Sequence, residues 1–189
     1  MTTPAATDQQ TPGSVRRRTA SRVLLAGMGS EYRSDDGVGP AVVRRVAELG
    51  RPAGVELVAG LDDPLDLLGL WDGAELAVVV DATRSGAPAG TITFAELGEG
   101  DVAHGRAKST HSIGFAGALR LARLIGSAPD RVVLLGVEGD DFRMGTWISA
   151  PVAAAVPRAA ELALSLVRGA PASGAPTSGA PDQGAPACA

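Results

Sequence analysis

One cysteine in 189 residues, Cys188 beside the carboxyl terminus, excludes both a disulfide framework and a cysteine-rich zinc site. A reducing, cytoplasmic setting is the expectation that follows. The sequence has no Gly-x-Ser-x-Gly elbow, and its single thiol lies in a tail, so the usual covalent nucleophiles are hard to nominate. It has no Gly-Lys-Ser/Thr and therefore no P-loop. An excess of one charge is also missing. Seventeen Lys and Arg stand against 21 Asp and Glu, interspersed to a net charge of −4, which makes no field to hold a nucleic-acid backbone or an anionic membrane surface. No apolar run reads as long enough to cross a bilayer. The stretch "SVRRRTASRVLLAGMG" fails as an export signal: its apolar part is short, holds two glycines, and leads into acids with no small-residue cleavage pattern.

What is present divides into a domain and two tails. Residues 1–20 are polar and lack periodic apolar positions, and residues 170–189 repeat Gly-Ala-Pro; both compositions predict disorder. Between them, 21–169 alternates short β-branched and leucine runs with longer amphipathic stretches. This is the pattern of a single three-layer α/β domain, a largely parallel twisted sheet of about five strands flanked by helices. Strands are expected at 22–28, 55–60, 76–82 and 131–138, with 90–97 as an edge or antiparallel strand. Helices are expected over 37–49, 64–71, 112–126 and 151–168. Asp35 or Asp36 would cap the first, Ser109 or Thr110 the third, and Ser149, with Pro151 in the first turn, the last.

The segment "LLAGMGSEYRSDDGVGPAVVRRV" (24–46) resembles a dinucleotide loop at first, because Gly27 and Gly29 follow a strand. The match fails at Tyr32, where the third glycine belongs, and several residues intervene before the helix. A nucleotide-binding module using the Gly27–Gly29 loop is therefore the alternative rather than the preferred reading. Of the paired acids, one suffices to cap a helix. The other, Asp36, is left to face the crevice at the carboxyl ends of the strands, where open α/β sheets bind ligands.

Asp81 ends the apolar run "AVVVD" and should exit the sheet on that same rim; a turn acid accepting N–H bonds from "ATRSG" is its structural alternative. His111, in "STHSIGFAGALRL", should project from the start of a helix, whereas His104 has no such placement and is assigned to the surface. Two carboxylates and an imidazole from three segments suit a borderline divalent ion such as nickel or zinc with coordination positions left open. The same groups also suit metal-free acid/base work.

Four motifs, "LLAGMGSEYRSDDGVGPAVVRRV", "LAVVVDATRSG", "STHSIGFAGALRLARL" and "VVLLGVEGDDFRMGTWISAPVAAAVP", resemble in order and spacing those of the hydrogenase maturation endopeptidases. The resemblance covers roughly residues 22–168. It implies an endopeptidase that removes a short C-terminal extension from the nickel-loaded precursor of a nickel–iron hydrogenase large subunit. Carried over, the family's acidic ligand falls on Asp36, its strand-end aspartate on Asp81 and its histidine on His111. The implied nickel is supplied by the substrate as the recognition element, and the resting enzyme need not hold a metal. A non-catalytic protein that docks on the nickel site is a further alternative.

Departures from the family pattern are local. Ser30 stands where asparagine is common, and Asp36 is one methylene shorter than the glutamate of some members. "GLDDPLDLLG" does not reproduce a Gly-Gly-Thr-like turn; there Asp62 and Asp63 are expected to cap the helix beginning near Pro64, with tuning of substrate choice as the alternative. Asp140 and Asp141 in "GVEGDDFRMG" are expected to be solvated.

Overall fold

The computed structural model describes residues 22–98 and 112–169. In chain order the elements are β1 (Arg22–Met28), α1 (Val38–Glu48), β2 (Val55–Leu61), α2 (Leu67–Trp71), β3 (Ala74–Thr83), β4 (Ile92–Glu96), α3 (Ser112–Ile125), β5 (Arg131–Glu138) and α4 (Ala150–Val167). The strands form one sheet in the order β2-β1-β3-β5-β4. All neighbours are parallel except β4, which runs antiparallel to β5. The three-layer α/β expectation and the antiparallel edge strand are both met.

Period-two alternation distributes the strand side chains between two cores. Leu25, Val78, Val80, Leu135 and Val137 meet α1 and α4 on one face. Leu24, Ala26, Met28, Ala77 and Val79 meet α2 and α3 on the other, where Trp71 packs edge-on to Phe115 at 5.8 Å. With helices on both faces, the central strands need apolar residues at every position, which is why β3 reads as a continuous run.

The glycines of the first motif serve packing. A Cβ on Gly39 would lie 2.2 Å from the Met28 carbonyl oxygen and 2.7 Å from that of Val80, and a Cβ on Gly27 would lie 2.5 Å from the Gly39 carbonyl. Two bare positions thus let the start of α1 lie directly on the ends of β1 and β3.

Two expectations are corrected here. Neither Asp35 nor Asp36 caps α1: Ser34–Gly37 forms a 3-10 turn that feeds the helix, whose N-cap is Gly37 with no side-chain cap bond. And α4, at 18 residues, is long and apolar enough by length and composition to cross a membrane. Here it is a core helix: Val152, Ala155, Ala159, Ala160, Ala163, Leu164 and Val167 form its buried stripe, while Arg158 and Glu161 are exposed on the opposite side. Asp63 does cap the turn at Pro64, accepting from the Leu65 N–H at 2.9 Å. Ser109 and Thr110 lie outside the described residues, as do both tails.

Candidate active site

The register of β1 on β3 sets Gly27 opposite Val80. Asp81 therefore stands beside Met28, at the carboxyl end of the sheet from which the 29–36 loop departs. Gly29, at φ +101°, turns the chain there; its N–H donates to the Leu61 carbonyl at 2.9 Å, and a Cβ would lie 2.1 Å from the Asp36 carbonyl oxygen. The loop doubles back so closely that only glycine fits, and it brings Asp36 to the same rim as Asp81.

Both carboxylates are buried, each 1 % exposed. Asp36 Oδ2 accepts from the Ser30 N–H at 3.0 Å, whereas its Oδ1 is buried with no hydrogen-bond partner among the described residues. Buried carboxylate oxygens are costly unless a donor or a cation meets them, so this oxygen suits a ligand brought from outside. Asp81, by the alternation of β3, is on the α2/α3 face. That face leads to the start of α3, where Gly114 approaches Pro64. His111, one residue before α3, lies outside the described residues, as does His104. Among the described residues, no three His, Cys, Asp or Glu side chains group as a metal site.

Two of the turn N–H groups in "ATRSG", those of Ser85 and Gly86, go to Glu138. This acid ends β5 opposite Thr83, the last residue of β3, which runs two residues past Asp81. Its Oε1 accepts from the backbone N–H of Ser85 at 2.6 Å and of Gly86 at 2.7 Å, and its Oε2 from the hydroxyls of Thr83 at 2.7 Å and Ser85 at 2.9 Å. Burial alone would push its carboxyl up; the donors from Thr83, Gly86 and Ser85 outweigh burial and hold it below the ordinary value. Glu138 thereby fixes the loop that follows β3.

Asp35 has a comparable task, also missed in the sequence. It accepts from the N–H of Asp140 and Asp141 at 3.0 Å each, and from the N–H and hydroxyl of Ser149 at 2.7 and 3.0 Å. Burial raises its carboxyl, but these bonds prevail and hold it low. Ser149 is at the N-cap of α4, but its hydroxyl serves Asp35 instead of the helix. Backbone bonds complete the seam between the 30–36 and 140–149 loops: Ser34 N–H to the Gly145 carbonyl, Gly145 N–H to that of Tyr32, and Asp35 N–H to that of Asp141, each 2.9 Å. Ser34 takes φ +52° to make it, and its hydroxyl donates to the Arg143 carbonyl at 3.0 Å.

Asp140 is exposed as expected. Asp141 is not simply solvated: its carboxylate pairs with the Arg143 guanidinium at 2.7 Å and accepts from the Arg143 N–H at 3.0 Å, which together keep it well below the usual carboxylate range. Between the loops runs a groove of about 680 Å³ bordered by Arg33, Arg84, Phe142 and Arg143, with the Arg84 guanidinium 4.5 Å over the Phe142 ring.

Compared with known proteins, the chain matches the family described as hydrogenase maturation protease over residues 40–166. It is 35% identical over 126 residues to the hydrogenase expression/formation protein HupD of Rhodobacter capsulatus, covering 64% of this chain and 60% of that protein. With the hydrogenase expression/formation protein HoxM of Azotobacter vinelandii it shares 30% identity over 152 residues, covering 79% and 73%. Among solved structures, the hydrogenase maturating endopeptidase HybD from E. coli is similar with a TM-score of 0.68 at 26% identity, over 78% of this chain and 93% of that one. The chain spans 60% of the length of its HupD relative and nearly all of the solved structure.

Proposed function

Because the chain belongs to the hydrogenase maturation protease family, we propose that it is an endopeptidase that removes a short C-terminal extension from the precursor of a nickel–iron hydrogenase large subunit. In this reading it acts in the cytoplasm and recognises its substrate through the nickel already inserted there. The single observation that carries the nickel step is Asp36: a buried carboxylate oxygen without a partner among the described residues, on the rim that Asp81 also reaches.

The chemistry follows from the donor set. Nickel held by the precursor, with coordination positions still open, accepts carboxylate oxygens from Asp36 and Asp81 and an imidazole nitrogen from His111. Engaging the ion aligns the adjoining peptide bond with the site, and the ion supplies Lewis acidity for its hydrolysis. A precursor without nickel lacks the group these ligands grip.

The test is incubation of the purified chain with a candidate precursor, with and without nickel, reading the mass lost from the precursor's carboxyl end. Loss only from the nickel-loaded form is expected. Asp36→Ala, Asp81→Ala and His111→Ala should each remain folded and abolish the loss; normal processing by a folded His111→Ala protein would refute the ligand assignment.

A further inference from the structure

Three large apolar side chains stand in water on the two loops beside Asp36: Tyr32 is 68% exposed, Met144 75% and Trp147 56%. Scattered singly, such residues are ordinary, but these three come from two adjoining stretches of backbone. The Gly145 N–H donates to the Tyr32 carbonyl, and the Trp147 ring lies so close over Gly145 that a Cβ there would be 2.5 Å from the ring carbons. Met144 is the neighbour of that glycine in the chain.

The tryptophan is also held in place. Its ring is packed on Gly145, whose N–H is bound to the Tyr32 carbonyl and whose carbonyl is bound to the Ser34 N–H. Ser34 and Asp36 belong to one 3-10 turn, so the support of the exposed indole runs into the turn that bears the candidate ligand. An exposed aromatic with one fixed orientation has little conformational freedom left to lose when a partner covers it. Trp and Tyr in such positions are the residue types that dominate protein–protein affinity.

We propose that Tyr32, Met144 and Trp147 form a preorganised apolar lip that docks the precursor protein beside the Asp36 turn. The proposal rests on the maturation-protease reading for its occupant. A protease whose substrate is a whole protein needs a protein-sized grip next to its chemistry, and this lip is continuous with the turn that carries Asp36. Its partner is an apolar surface of the precursor adjoining the metal-bearing site, with the lip setting affinity and the Asp36 rim setting cleavage.

The experiment uses the full chain with nickel-loaded precursor, comparing wild type, Trp147→Ala, Tyr32→Ala, Met144→Ala and, as a remote control, Leu124→Ala, whose side chain is exposed at the end of α3. Trp147→Ala should raise KM about tenfold, as expected for an aromatic hot spot, with kcat and Tm held. Tyr32→Ala and Met144→Ala should raise KM less, and Leu124→Ala not at all. Unchanged KM in all three lip variants while wild type cleaves would overturn the lip and leave the protease reading standing. If wild type fails to cleave, the protease reading fails, and direct binding of the precursor decides the lip: weaker binding by Trp147→Ala supports it, and equal or absent binding overturns it.

Discussion

At the residue scale, adjacent acids have divided roles. Asp35 turns its carboxylate toward four donors on the 140–149 loop, while Asp36 turns one oxygen back to Ser30 and keeps the other buried without a partner among the described residues. A 3-10 turn makes this possible, because successive side chains project about a third of a turn apart. Gly39 shows the same dependence on a few tenths of a nanometre. Gly39→Ala puts a methyl group against two backbone carbonyls, so it should cost about 3 kcal/mol by overpacking, read as a lower midpoint in urea. Since the 3-10 turn bearing Asp36 feeds directly into the displaced start of α1, that variant should also lose processing at temperatures where it remains folded.

Elements matter here mainly where they end. Four parallel strands deliver their carboxyl ends to one rim, and the loops leaving β1, β3 and β5 are tied to each other by carboxylates: Asp35 joins the first to the last, and Glu138 holds the middle one. Replacing Asp35 by Ala deprives the Asp140, Asp141 and Ser149 N–H groups of their acceptor. The loss should be on the order of 3 kcal/mol, a fall in Tm of roughly 10 °C for a domain of this size. Hydrogen exchange should accelerate at 140–149 well before β3. Asp35→Asn retains one acceptor oxygen and should fall between wild type and Ala.

For the whole molecule, these buried carboxylates set the acid limit of stability. Glu138 and Asp35 are both held below their ordinary values of 4.5 and 3.8 in the folded state. A lowered folded value means that the unfolded chain binds protons more readily than the folded one. The stabilisation is therefore complete above about pH 5 and is lost progressively as pH falls through the ordinary values toward the folded ones. Tm should be flat from pH 7 to 5 and drop below 4.5, and Glu138→Gln should flatten part of that drop while lowering the plateau.

Local chemistry by itself determined the α/β class and the strand and helix positions to within a few residues, and it nominated Asp36 and Asp81, because periodicity and an acid ending an apolar run are features of contiguous sequence. The cap at Asp63 was equally legible, since a capping carboxylate bonds two residues along its own chain. Only the tertiary structure decided what Asp35, Glu138, Ser149 and Asp141 do. The partners of Asp35 are 105 to 114 residues away and those of Glu138 are 52 to 55. A residue at a helix start carries the same local signal whether its oxygen takes the helix's N–H groups or a distant loop's, so the selection falls to whichever donors the sheet register brings within 3 Å.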